Sequence, residues 1–386
     1  MSDTLTRFER LERAWRLEEA DRVPVAPILC YIIPYLGRIS IWDMFTRPDL
    51  LVQATKQCLD IIGDNIDPNI TTLNHLGLFG RAGWDQVTLD WRIWEHYPPD
   101  GNLPSLYEKT IIDDYDDVMR RGFSTILFNK KLNNGIHARN IDDFLYYQFE
   151  YPMIYANAWR KFVEDTGIPL LMGGRACHPL DMLQYYRGIS QLTSDIFEVP
   201  EKVHAICEWF IDYETKRAMD DAMIMGAGEV PGAEIIFFVN GGPPGMSPGI
   251  FKEFFWPYAK KMVDNFVKSG FKVWNHWDGD HTPNLETIAN IADGLPKGRI
   301  VMDFEKTDMK RAKEVLGGKV CIYGNVPSAL YCYGSPEEVD AYCKKLIAEC
   351  AAGGGYILGS ECEVPWDARP ENIRAMLKAA EKYGVY

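Results

Sequence analysis

The chain is short of basic charge. Its 41 Lys and Arg stand against 55 Asp and Glu, a formal net charge of -14. No basic stripe or lysine-rich tail is present, so nucleic acid and anionic membrane surfaces are not the expected partners. No run of about 18 apolar residues occurs, so no membrane-spanning helix is expected. Met1 to Asp21 is polar and charged and lacks the apolar centre of a secretory signal. The nine cysteines form no paired framework: an odd number is scattered from Cys30 to Cys362, which fits a reducing cytoplasm. The P-loop and H-E-x-x-H are both missing. The glycine clusters Gly241-Gly242 and Gly353-Gly354-Gly355 lack the spacing of a dinucleotide fingerprint.

What is present is a strand-helix rhythm. Apolar runs at Pro169 to Met172, Ile235 to Val239, Phe271 to Trp274, Arg299 to Phe304, Val320 to Tyr323 and Tyr356 to Leu358 alternate with helical patterns such as Ile250 to Val267 and Pro336 to Cys350. With earlier runs at Val23 to Cys30 and Asn65 to Thr72, the count reaches about eight, the number that closes a (β/α)8 TIM barrel. An open doubly wound sheet is the alternative. Gly77 to Pro99 changes character, with β-rich pieces around Gln86 to Trp94, and reads as a β-rich insertion in the amino-terminal half of one domain spanning 1–386.

In such an architecture chemistry gathers where strands end. Two segments stand out there: Trp274-Asn275-His276-Trp277-Asp278-Gly279-Asp280 and Gly359-Ser360-Glu361-Cys362-Glu363. His276 and Asp278 lie two apart, so an extended chain turns both to one side. An imidazole, a carboxylate and a thiol together can hold a thiophilic metal with one position open. A hydrogen-bonded His-Asp pair without metal is the plainer alternative. The acidic neighbours of Cys362 disfavour a free thiolate and suit a thiol bound to zinc. Asn240, Glu305 and Asn325 also sit at strand ends, although asparagine in such turns commonly serves nearby backbone. Cys177-His178 is a poor dyad, because adjacent side chains seldom face each other.

The order and spacing of several segments resemble the uroporphyrinogen decarboxylase superfamily, in its cobalamin (corrinoid) methyltransferase branch. They include Gly232-Ala233-Glu234-Ile235-Ile236, Met246-Ser247-Pro248, His276-Trp277-Asp278-Gly279, Tyr323-Gly324-Asn325-Val326-Pro327, Ser335-Pro336-Glu337-Glu338 and Cys362-Glu363-Val364-Pro365. The resemblance implies a (β/α)8 barrel and a zinc site at His276 and Cys362, with Asp278 where the family pattern has cysteine, and Asp278 or Glu305 as third ligand. It implies methyl transfer between a small-molecule donor, with an aryl methyl ether the first choice (O-demethylation), and a corrinoid carried by a separate protein. This chain itself lacks the D-x-H-x-x-G corrinoid-binding signature. Asn240, Asp278 and Asn325 are the expected catalytic groups. Tyr31, Tyr35, Trp274 and Trp277, with Trp91 and Trp94, are the expected aromatic lining. The decarboxylase branch has an arginine-rich substrate loop where this chain has Pro27-Ile28-Leu29-Cys30-Tyr31-Ile32-Ile33-Pro34-Tyr35. Methyl transfer from a methylcorrinoid protein to a thiol or tetrahydrofolate, a decarboxylating lyase, and a non-catalytic corrinoid-protein chaperone or binding module are the alternatives. Whether the chain pairs as a homodimer is left open by the sequence.

Overall fold

The computed structural model describes residues 5–40, 43–44, 47–68, 111–126, 129, 146–242 and 246–386. The expected β-rich insertion at Gly77 to Pro99, with Trp91 and Trp94, lies outside them. Seven strands form one parallel sheet: β1 Val25–Ile28, β2 Gly174–Cys177, β3 Ile235–Asn240, β4 Lys272–Trp277, β5 Ile300–Phe304, β6 Cys321–Val326 and β7 Tyr356–Glu363. Their order is β1-β7-β6-β5-β4-β3-β2. Helices between successive strands, including Pro200–Met225, Trp256–Lys268 and Pro336–Cys350, supply the crossovers that parallel pairing requires.

The sheet curls. In a flat sheet β4 and β7, three positions apart, would be separated by roughly 14 Å. Yet Cys362 Sγ on β7 lies 3.8 Å from His276 Nε2 on β4. On the other side of β1 from β7, Asp67 donates its backbone N–H to Val25 O (2.9 Å) and accepts the Val25 N–H on its carboxylate (2.8 Å). The chain at Asp67 therefore runs beside the free edge of β1. The described part of the predicted strand at Asn65 to Thr72 contributes this contact but no strand.

The strand interiors alternate as a pleated sheet must. Phe237, Trp274, His276, Asp303 and Tyr323 share the inner face: Phe237 pairs with Trp274, His276 with Asp303 and Asp303 with Tyr323. Ile236, Phe238 and Asn275 face the helices. Gly174 also faces out, and a methyl group there would fall 2.0 Å from Ala218 O of the helix Pro200–Met225. Helix Arg7–Trp15 is anchored by a Thr6/Glu9 capping box. It brings Trp15 edge-on to Trp274 at 6.1 Å, beneath the inner side chains of the curled sheet.

Several strands reach further than their apolar runs predict. β4 continues through Trp277, β6 through Val326 and β7 through Glu363. His276, Asn325 and Cys362 lie within these strands, where the apolar runs had put them just at the ends. β2 begins at Gly174, after the apolar run Pro169 to Met172, which leads into the strand: Leu170 donates to Pro231 O and Gly173 to Ile235 O. No helix among the described residues is long and apolar enough to cross a membrane.

Candidate metal centre

His276 stands on the inner face near the carboxyl end of β4 and is 5% exposed. Its Nδ1 lies 2.7 Å from Asp303 Oδ2, and the same oxygen accepts the Trp274 indole N–H at 2.9 Å. Asp303 is fully buried. Its carboxylate fixes the ring so that Nδ1 donates and Nε2 turns toward the barrel mouth. There Nε2 meets Asp278 Oδ1 at 3.0 Å and Cys362 Sγ at 3.8 Å. One donor atom from each of His276, Asp278 and Cys362 lies within 4.8 Å of the other two. The ring of Phe237 stacks on His276 with centroids 5.4 Å apart.

Electrostatics concentrate on the imidazole. Burial opposes its charge, but Asp303 and Asp278 outweigh burial and hold its proton affinity well above the ordinary histidine value. Burial raises the Asp278 carboxyl, and His276 overrides this to bring it below its usual range. Burial also raises the Cys362 thiol, with His276 pulling the other way. All nine cysteines are free, eight of them buried, and Cys362 alone is partly exposed. An N, O and S donor set with its histidine oriented by a buried carboxylate fits zinc.

The remaining predicted residues fall elsewhere, each for a visible reason. Asn240 is fully buried, and its amide donates to Phe238 O and Asn275 Oδ1. It ties β3 to β4 on the outer face, away from Nε2 of His276. Asn325 donates to the carbonyls of Glu305 (3.1 Å) and Thr307 (3.0 Å), holding the loop after β5. Glu305 accepts the Gly279 N–H and pairs with Lys306 at 3.3 Å, so it braces the turn after Asp278 and is not one of the three clustered donors. Trp277, next to His276 in an alternating strand, points outward into Phe251, Phe255 and His281. Trp274 faces inward but is fully buried beneath the cluster, against Trp15 and Tyr323. Both tryptophans are fully buried among the described residues. Tyr31 is partly buried near the end of β1. Tyr35 is 48% exposed and meets Trp366 edge-on at 5.4 Å, forming a rim after β1 and β7.

His178 is structural. Its Nδ1 caps the helix Pro179–Arg187 through Leu180 N (3.1 Å), its Nε2 donates to Phe255 O (3.0 Å), and burial pushes its pKa down to about 3. Sequence reasoning gave Asp303 no role, although it lies in the apolar run Arg299 to Phe304. It passed over Trp366 and Arg175, an arginine interrupting the small apolar strand Gly174–Cys177. The strand alternation that faces His276 inward could have flagged both Asp303 and Arg175.

The model of the family uroporphyrinogen decarboxylase (URO-D) matches residues 154–383. A curated relative, uroporphyrinogen decarboxylase of Ectopseudomonas mendocina (strain ymp), is 20% identical over 195 residues, 48% of this chain and 50% of that protein. The chain thus matches about half the length of that relative. A solved methyltransferase from Methanosarcina mazei superposes with a TM-score of 0.68 at 18% identity, over 98% of this chain and 99% of the other, a likeness of fold. With more than half of the chain under the family model, and with its curled parallel sheet, the protein belongs to the uroporphyrinogen decarboxylase (URO-D) family.

Proposed function

We propose that this protein is a corrinoid-dependent methyltransferase. It moves a methyl group from a small donor, an aryl methyl ether by preference, to the cobalt of a separate corrinoid protein. The observation that supports it is the convergence of His276, Asp278 and Cys362 at the barrel mouth. The methyltransferase from Methanosarcina mazei with the same fold adds to it. The reading includes a closed (β/α)8 barrel, with an eighth strand beside β1.

His276, Asp278 and Cys362 are the residues that would hold zinc, which when bound supplies Lewis acidity toward an ether oxygen. One carboxylate in place of a second thiolate makes the site harder and less electron-rich. That favours polarising an oxygen over activating a thiol, and so favours the demethylating direction. The chain's own residues set the geometry. Asp303 holds the His276 ring, Trp274 holds Asp303, and Phe237 covers one face of the imidazole. The rim of Tyr35 and Trp366 is apolar and aromatic, suited to the edge of a methoxylated ring. In the reaction the O–CH3 bond breaks and its electron pair stays on the phenolate oxygen. The pair for the new bond comes from the partner's reduced cobalt.

The test is a methyl-acceptor assay. Zinc-loaded protein, methoxylated aromatic donors and free cob(I)alamin should give methylcobalamin, read by its visible spectrum, together with the free phenol. Absence of methylcobalamin with every donor, beside methylation of thiols from methylcobalamin, would reverse the assigned direction.

Asp303 gives a second expected result. Asp303→Asn keeps the size of the side chain but removes the charge that steadies His276. Zinc affinity, measured by competition with a chromophoric chelator, should fall by about 10- to 100-fold. Unchanged affinity would show that the carboxylate only fills space.

A further inference from the structure

β7 does not pair evenly along its length. Its first half keeps register with both neighbours. Leu358 and Gly359 stand opposite Val25 and Ala26 of β1, and Gly359 and Ser360 stand opposite Asn325 and Val326 of β6. On the β1 side the register then jumps, from Ala26 opposite Gly359 to Ile28 opposite Glu363. A step of two residues on β1 is matched by a step of four on β7, so β7 bulges over Ser360, Glu361 and Cys362.

The bulge decides where Cys362 points. Ile357 pairs with Tyr323 and so faces inward. Gly359, two residues on, faces inward too, and a methyl group there would run into the Tyr323 ring. Cys362 lies three residues beyond Gly359, so on an undisturbed strand it would face the helices. Its sulfur lies instead 3.8 Å from His276 Nε2. Glu361, which the same alternation would turn inward, accepts the Ser328 N–H just after β6 at 2.7 Å.

Two hydroxyls hold the bulge against β1. Ser360 is fully buried, and its Oγ accepts the Ile28 N–H at 3.0 Å. Tyr323, also fully buried, passes beneath Gly359 and donates to Ala26 O at 2.7 Å, with Ser360 Oγ 3.4 Å away. The ladder resumes where Val364 donates to Ile28 O at 2.8 Å. Backbone groups of β1 on both sides of the slip, Ala26 O and Ile28 N–H, are thus met by side chains, which answers the need to satisfy buried backbone where pairing is interrupted. Neither hydroxyl is one of the three clustered donors.

We propose that Ser360 and Tyr323 are positioning residues for the metal-binding thiol: their clamp on β1 stabilises the bulge that turns Cys362 toward His276. This rests on the metal-centre reading and deepens it. Without the clamp β7 relaxes toward a regular ladder, which presents Glu361 inward and withdraws Cys362. The site then exchanges sulfur for oxygen and loses its preference for a thiophilic metal.

The test uses Ser360→Ala and Tyr323→Phe, each of which removes one hydroxyl from the full chain. Co(II) stands in for zinc, because a thiolate ligand gives cobalt a strong near-ultraviolet charge-transfer band and a carboxylate does not. The wild type should show the band and Cys362→Ala should lack it. Ser360→Ala should lose most of the band, and its zinc affinity should fall by about 10- to 100-fold. Tyr323→Phe should shift both in the same direction by less, and it decides the matter if Ser360→Ala does not fold. Ser360→Thr, which keeps the hydroxyl, should restore the band. Crystal structures of the metal-free variants read the same device without metal: the Cys362 sulfur should stand clear of His276. A full band with unchanged zinc affinity in Ser360→Ala would overturn the proposal, and a lowered melting temperature beside it would make the clamp only a tie between β1 and β7. Absence of the band in the wild type counts against the metal-centre reading. The metal-free structures then decide the clamp, an unmoved Cys362 overturning it and a displaced one supporting it.

Discussion

Cys362→Ala should abolish zinc binding and methyl transfer while leaving the barrel folded. The sulfur is one of three clustered donors, and it arrives from β7, three strands away from His276 on β4. With it gone, His276 and Asp278 remain, and two ligands do not hold zinc against water at ordinary concentrations. Activity should fall by about 100- to 1,000-fold, since an unassisted phenolate is a far poorer leaving group and a single electrostatic stabiliser is commonly worth that much. Cys362 is partly exposed at the end of its strand, so the truncation opens no sealed cavity, and the far-ultraviolet spectrum and melting temperature should stay near those of the parent. The checks are metal content by mass spectrometry after dialysis and methylcobalamin formation. Full activity in Cys362→Ala, or in metal-free wild-type protein, would sink the Lewis-acid role. Activation of the donor by hydrogen bonds from the residues around Asp278 would then be the surviving account.

The second large effect is on stability and lies at the other end of the molecule. Asp67 is fully buried. Its carboxylate takes hydrogen bonds from Arg10 Nη1 (2.6 Å), Arg22 Nη1 (2.9 Å) and the Val25 N–H (2.8 Å). It joins helix Arg7–Trp15 to β1, the first strand of the sheet. Arg10 also pairs with Asp21 at 2.6 Å, which burial raises but Arg10 brings down to about 2. Asp67→Ala leaves two buried guanidinium groups competing for the remaining carboxylate and frees the Val25 N–H on the β1 edge. Breaking a buried ion pair from one side costs about 3–5 kcal/mol, so urea unfolding should show a loss of that order. Asp67→Asn, which keeps the shape without the charge, should lose less. A change below about 1 kcal/mol in Asp67→Ala, within the range of ordinary surface substitutions, would mean that Asp21 and water replace Asp67 at no real cost.

The sequence by itself determined the class of fold and named three residues, His276, Asp278 and Cys362, that the structure brings together. Alternating apolar runs and helical patterns announced the parallel sheet, because each strand and each helix writes its own period into the chain. The two-residue spacing of His276 and Asp278 put both on one side of an extended segment, as the 3.0 Å contact between them requires. What the sequence could not supply was sidedness and distance across strands. The apolar runs ended too early, since the last residues of these strands are polar, and so His276, Asn325 and Cys362 were placed at the strand ends and not within the strands. Trp277 was grouped with Trp274 although three positions apart on a strand means opposite faces, one among helices and one under the cluster. Asn240 and Asn325 carry the right chemistry but spend it on neighbouring backbone and amide groups. Only the curl of the sheet brings Cys362 to His276 across 86 residues. Only the register of β4 on β5 places Asp303 behind the imidazole, and only that of β2 on β3 puts Arg175 on the same inner face as Phe237. Local periodicity is written along one segment, whereas which segments become neighbours depends on how all of them close around a common core.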